Sequence, residues 1–411
     1  MSDMINITTK EKYDNTHQPD FHKLAHAMHD ELIDRRRDFH KYPEIAFQEH
    51  RTAGIIEYEL NRLGMRIQTG VGKTGVVGIL EGKKPGKTVL YRADMDALPI
   101  QEENDVPYKS RVSGMMHACG HDGHMTIALA VAKIMAEHRE QIEGRIKFVF
   151  QPGEEGAGGA LAMIRDDVLE NPEPDISLGL HLWQPIPFGK VGTAQGAIMS
   201  GSSTFKIVVR GRGGHAAMPH TTIDPVVCTG QLINSLHTLV SRRMDAMSGA
   251  VVLSVTGLHT SSFAHNIIPD TVEIMGTFRT FNAYTSEMLE QQIRNMTRSV
   301  CESVGCTADV RVRHLTIPVV NHTDVVTAMT PICERIFGKN NLLESRTMAS
   351  EDMSYYLDDI PGMFFLVGSS NPKKGLTGGH HHPTFNFDED VLPVSVELMC
   401  SAIAEYVMPV S

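Results

Sequence analysis

The sequence predicts an α/β protein with a central, mostly parallel sheet flanked by helices, into which a ferredoxin-like α+β domain is inserted. Three observations carry this reading. At 411 residues the chain is longer than one ordinary core usually holds. Strand-like apolar runs alternate with helical periodicity in both its first half and its last quarter. Between them the order of elements changes to β-α-β-β-α-β, which is the ferredoxin-like plan.

Taken in order, residues 20–63 carry apolar positions at three-to-four spacing, first Leu24, Met28 and Leu32, then Ile55, Ile56 and Leu60. Tyr42-Pro43-Glu44 breaks them into two helices. Strand-like runs follow at 76–80, 88–92, 145–151 and 176–182. The helix at 124–137 is apolar nearly all round, as a buried helix is. Near Ser200 the pattern changes: strand 204–210, helix 223–243, strands 250–258 and 271–281, helix 285–304, strand 308–315. After Pro318 the alternation resumes with a helix at 325–337, an apolar strand at 363–367 and a closing helix after Asp390. The expected division is therefore 1–199, an inserted domain 200–315, and 316–411 completing the first.

Composition narrows the function. Hydrophobic residues make up 41% and charged residues 21%, an ordinary globular balance that excludes a disordered chain. The formal net charge is −11 without a basic run, which argues against nucleic acid and anionic membrane as partners. No stretch approaches the ~20 apolar residues of a membrane span. The polar start lacks the apolar core of a signal peptide. The six cysteines form no CxxC pair and do not read as a disulfide framework, so a reducing cytoplasm is the expected location.

The 21 histidines are informative by position. Residues 117–124 read HACGHDGH, bringing a thiol and imidazoles of the kind that bind zinc, cobalt, nickel or iron into one short segment. A buried cysteine and stray histidines would explain any one of these residues, but not five such groups in eight. At 148–156 an apolar strand ends in Gly153-Glu154-Glu155-Gly156. Two carboxylates there can divide labour between holding metal and moving protons. Two further strand ends, at Asp94-Met95-Asp96 and at His181, place acid and imidazole at the same end of the predicted sheet. A fourth piece is His380-His381-His382-Pro383. Gly70-Val71-Gly72-Lys73-Thr74 imitates a phosphate-binding loop but has Ile67 where its first glycine belongs. There is neither an HExxH nor a Gly-x-Ser-x-Gly motif.

As a set these segments resemble the M20 metallopeptidase family, and within it the amidohydrolase branch, M20D, of hippurate hydrolases, N-acyl-amino-acid amidohydrolases and auxin-conjugate hydrolases. The matching stretches are RRDFHKYPEIAFQE at 36–49, RADMDALPI at 92–100, HACGHDGH at 117–124, FQPGEEG at 150–156 and GLH at 179–181. They continue with GRGGHAAMPH at 211–220, NIIPD at 266–270, GTFRTF at 276–281, SED at 350–352 and HHPTFNFDED at 381–390.

The resemblance implies a zinc-peptidase-like catalytic domain with two divalent metal ions (Zn, Mn, Ni or Co). Their ligands would be Cys119, His121, Glu155, His181 and His381, with Cys119 bridging. His381 is chosen because the family pattern is His-x-Pro and Pro383 sets the register; His380 and His382 stay open. Asp96 would orient the site. Glu154 would be general base and acid, taking a proton from metal-activated water as hydroxide attacks an amide carbonyl and passing it to the leaving amine. His215 would supply an oxyanion donor from the inserted domain, often across to a partner subunit. Asn266 would assist, and Arg279 would clamp a substrate carboxylate. The inserted domain would mediate dimerisation or act as a lid, giving a homodimer or higher homo-oligomer. The implied activity is hydrolysis of N-acyl amino acids, aromatic or aliphatic, to a carboxylic acid and a free amino acid. A dipeptidase or carbamoylase on the same binuclear site is the near alternative. A non-catalytic metal-binding protein is the distant one, opposed by the competent residue at every matched position.

Overall fold

Asp20 opens the first helix, its carboxylate accepting the Lys23 backbone N–H at 3.0 Å. The computed structural model describes residues 18–245 and 249–409. Most of the polar start read above for targeting therefore lies outside the described residues. The chain divides into two compact units, one of 1–193, 322–344 and 360–411, the other of 194–321 and 345–359.

In the first unit, α1 (Phe21–Ala27) and α2 (His29–Lys41) are separated at Met28, a break that the apolar spacing does not announce, and α3 (His50–Arg62) follows the Tyr42-Pro43 turn. Eight strands make its sheet: β1 (Arg66–Val71), β2 (Gly75–Glu81), β3 (Lys84–Asp94), β4 (Glu143–Gln151), β5 (Ile176–Pro187), β6 (Val191–Gly192), β15 (Leu342–Leu343) and β16 (Gly362–Ser370). Their order is β1-β2-β4-β3-β5-β16-β6-β15. The middle four, β4, β3, β5 and β16, are parallel. β1 and β2 add an antiparallel edge. The apolar runs β2, β3, β4, β5 and β16 are the strands expected from sequence, whereas β1 is mostly exposed and has no apolar face to betray it. The false phosphate loop is the β1–β2 turn, where Gly70, Gly72 and Lys73 take positive φ.

Helices α4 (His121–Glu137), α5 (Gly159–Arg165), α8 (Thr323–Phe337) and α10 (Val391–Val407) complete the unit. From His121 to Met135 nearly every residue of α4 is buried, as its all-round apolarity predicts. Gly123 allows this close approach: a Cβ there would lie 2.6 Å from Leu182 Cδ1 and 2.9 Å from Phe387 Cζ. A buried charge network fixes α4 to α2. Arg36 Nε donates to Asp122 Oδ2 at 2.8 Å, the same oxygen meets His40 Nδ1 at 2.8 Å, and His40 Nε2 reaches Glu102 at 3.2 Å.

The second unit holds β7 (Gly196–Met199), β8 (Gly201–Arg210), β9 (Gly214–His215), β10 (Val251–Thr260), β11 (Ile267–Ile268), β12 (Thr271–Thr280), β13 (Thr307–Thr316) and β14 (Val319–Asn321), with helices α6 (Pro225–Arg243), α7 (Ala283–Ser303) and α9 (Ser354–Asp359). Its main sheet runs β10-β12-β8-β13, antiparallel throughout. With α6 and α7 this is the ferredoxin-like arrangement, the first and third strands adjacent at the centre. Asp224 caps α6 through the Val226 N–H at 2.8 Å, and Asn282 caps α7 through the Thr285 N–H at 2.7 Å. Phe205, Ile207 and Val209 alternate inward from β8 onto Leu232, Leu236, Leu289 and Ile293 of the two helices. No described helix is long and apolar enough to cross a membrane.

Candidate metal centre

Five residues far apart in sequence converge in the first unit. Cys119, His121 and His181 present ligand atoms that all lie within 4.8 Å of one another, and so do Cys119, Glu155 and His381. Cys119 is common to both triads, so the cluster has two lobes about one sulfur. The Cys119 Sγ to His181 Nε2 distance is 3.5 Å.

Local backbone sets each residue. Cys119 and His121 come not from a strand end but from the turn into α4, with Gly120 between them at φ 99°. That positive φ suits glycine and lets the chain swing from the thiol directly into the helix. His181 is on β5. Glu154 and Glu155 follow the end of β4 in a turn that Asp96 holds. Asp96 Oδ1 accepts the Glu154 N–H and Oδ2 the Glu155 N–H, each at 3.0 Å. Glu154 and Glu155 also group with His121 within the same 4.8 Å limit.

Both imidazoles of the first triad are oriented alike. His121 Nδ1 donates to the Asp96 carbonyl at 2.8 Å and His181 Nδ1 to the Leu182 carbonyl at 3.0 Å. Each ring therefore turns Nε2 toward the cluster, the usual arrangement for a metal-binding histidine. The three histidines of the run take different surroundings, and His380 Nδ1 lies 3.9 Å from Cys119 Sγ. His380 Nε2 accepts the Gln184 N–H at 3.0 Å, and the ring packs on Trp183 and Phe385. His382 Nδ1 accepts the Thr384 N–H at 3.2 Å on the exposed side. His381, at φ 64°, brings Nε2 to 3.2 Å from Glu155 Oε1.

The electrostatics fit a bound cation. Asp94, Asp96, Glu154 and Glu155 surround a thiol. Burial, then the charges of Glu155, Glu154 and Asp94, push the Cys119 thiol well up. Burial alone would lower His121, but Asp94, Asp96 and Glu155 overcome it and push it up to about 10. A site that drives a proton onto imidazole is a site built for positive charge. His121 Nε2 and Glu155 Oε1 are buried and make no hydrogen bond among the described residues, so a cation replacing the His121 proton would give both a partner. Thiol, imidazole and carboxylate together match zinc, cobalt, nickel or manganese.

Several residues of the matching segments with no implied role support the cluster from behind. His124 Nδ1 bonds Asp94 Oδ1 at 2.6 Å while its Nε2 accepts the Leu182 N–H at 2.9 Å. With both nitrogens committed, His124 ties α4 to β3 and β5. Glu49 Oε1 accepts the Gly153 N–H at 3.0 Å and so supports the Glu154 turn. The His117 ring is buried without a hydrogen bond among the described residues, and burial holds it down at about 4.

The remaining predicted residues belong to the second unit. His215 on β9 pairs with Ile267 of β11, and the Ala216 N–H donates to the Asn266 carbonyl at 3.0 Å, so one short ribbon carries His215 and Asn266. Arg279 lies on β12, donating to Thr277 Oγ1 and to the Phe278 carbonyl, and partial burial lowers its pKa.

Comparison with known proteins agrees with this chemistry. The model of peptidase family M20/M25/M40 matches residues 90–405. Thermostable carboxypeptidase 2 of Saccharolobus solfataricus is 38% identical over 370 residues, covering 89% of this chain and 92% of its own. IAA-amino acid hydrolase ILR1-like 2 of Arabidopsis thaliana is 37% identical over 382 residues, covering 92% and 85%. The crystal structure of Bacillus subtilis YXEP, a dinuclear metal binding peptidase of the M20 family, superposes with a TM-score of 0.80 at 30% identity, covering 92% of this chain and 98% of that one. The chain is thus a hydrolytic enzyme, a metal-dependent amidohydrolase belonging to peptidase family M20/M25/M40.

Proposed function

We propose that this enzyme hydrolyses the amide bond of N-acyl amino acids, releasing a carboxylic acid and a free amino acid. The observation that carries the reading is the Glu154-Glu155 turn, clamped by Asp96 beside the two-lobed cluster around Cys119. Cys119, His121, Glu155, His181 and His381 would hold two divalent ions, as YXEP is described as doing. When bound, such ions polarise an amide carbonyl and lower the pKa of water.

In this reading Glu154 removes the proton from the attacking water and delivers it to the leaving nitrogen, so one carboxylate serves both halves of the reaction. Asp96 keeps the Glu154 and Glu155 backbones in place while the charge moves. His215, with Asn266, would donate to the oxyanion, and Arg279 would pair with the substrate carboxylate. The names of the relatives favour this substrate class: one is a hydrolase of an acylated amino acid, the other a carboxypeptidase. The second name supports a closely related reading, in which the acyl group is itself a peptide. A homodimer in the cytoplasm completes the proposal.

The test is a panel of N-acetyl, N-benzoyl and indole-acetyl amino acids beside free dipeptides, offered to metal-free enzyme with Zn, Mn, Co or Ni restored singly. Metal-dependent release from one acyl class is the expected result; cleavage of dipeptides alone would move the enzyme to the peptidase reading. Glu154→Ala should abolish turnover with metal content nearly unchanged, whereas Cys119→Ala should lose both. Retention of more than a few percent of the rate in Glu154→Ala would overturn the assignment of the base.

A further inference from the structure

A second cluster of metal-ligating side chains lies outside the catalytic residues. His22 and His26 stand four apart on α1 and so share a face of that helix. Their rings are 4.3 Å apart between centroids. Glu397, on the buried helix α10, reaches the same point, with Oε2 2.8 Å from His22 Nδ1. One ligand atom from each of the three lies within 4.8 Å of the other two.

The geometry points to a third metal site, in which His22, His26 and Glu397 bind a divalent transition cation of the zinc or nickel class and join α1 to α10. Two imidazoles and one carboxylate form a donor set that such ions accept, with water completing the coordination. The ion would take the place of the proton that now links His22 to Glu397. Zinc–nitrogen bonds of about 2.0–2.1 Å require the donor atoms to draw closer together, which the exposed rings can do by small side-chain rotations. The Glu397 carboxylate is only 11% exposed, so the third ligand is held on a rigid support. The platform on the other side is equally fixed, since Phe21 and Ala25 of α1 are buried in the core. The His26 ring makes no hydrogen bond among the described residues, and partial burial followed by repulsion from His22 keeps it below the ordinary histidine value. Its ring therefore offers a lone pair at neutral pH.

A simple ion pair between His22 and Glu397 would account for that contact but not for the second imidazole beside it. The two explanations separate by experiment. Enzyme already loaded at its catalytic centre is dialysed against rising free zinc, and bound zinc per chain is counted for wild type and for His26→Ala. This variant keeps the His22–Glu397 bond and removes only an exposed ring. Wild type should saturate at one zinc ion more than His26→Ala, and its melting temperature should keep rising with zinc after that of the variant has levelled off. Glu397→Gln should behave like His26→Ala. Equal zinc content and parallel melting curves in wild type and His26→Ala would overturn the site.

Discussion

Asp96 shows how one side chain can govern two others without touching substrate. Its two carboxylate oxygens hold consecutive backbone N–H groups, and its carbonyl receives the Nδ1–H of His121. Asp96→Ala would free the turn bearing Glu154 and Glu155 while leaving in place the main-chain carbonyl that receives His121. The expected cost is about 10–100-fold in metal affinity or activity, as for other groups that orient metal ligands. Steady-state rates and metal analysis on the purified variant check it; unchanged values for both would mean the turn is held by Glu49 alone. At this scale the chemistry-bearing segments were legible in the sequence, because thiol, imidazole and carboxylate crowd into short glycine-flanked stretches. The roles of the supports were not. His124 and Glu49 lie in the matching segments, but they act through partners 30 and 104 residues away, at Asp94 and Gly153, which no local pattern connects.

Elements turn these contacts into a frame. Helix α4 begins with His121 and is buried almost throughout, so the orientation of that ring depends on how the helix is seated. The Arg36–Asp122–His40–Glu102 network seats its first turn. Burial alone would raise the Asp122 carboxyl, but Arg36 and His40 hold it well below the usual carboxylate range. In the unfolded chain it titrates near ~3.9. The stability it contributes is therefore complete above that value and drains away as pH falls through and below it. Denaturant midpoints of the metal-free protein should drop between about pH 5 and pH 3, and drop less in Asp122→Asn. Parallel curves would show that other carboxylates carry the acid sensitivity. Strands with continuous apolar runs and the long helices could be read from periodicity. The exposed edge strand β1 and the break at Met28 could not, since neither disturbs the apolar spacing on which such reading depends.

Over the whole molecule, two units have separate cores, and all five proposed metal ligands belong to one of them. Chelation should therefore lower the thermal transition of the first unit and leave that of the second nearly in place, which scanning calorimetry would show as two components moving apart. A single transition shifting as one would mean that the units unfold together. The grouping of 345–359 with 194–321 has no counterpart in the order of elements along the chain, because it exists only in three dimensions. The same interruption has a consequence for synthesis. The parallel sheet needs β16 beside β5, and the cluster needs His381, yet the whole of 194–321 is translated between β5 and β16. At about 5–20 residues per second the ribosome spends on the order of ten seconds or more on that stretch. Throughout it, the β16 side of β5 is an unpaired edge and the nascent first unit lacks the last of its proposed ligands. The second unit has all of 194–321 in hand before the first can close, so capture of metal by the proposed ligand set would come after the second unit has been made.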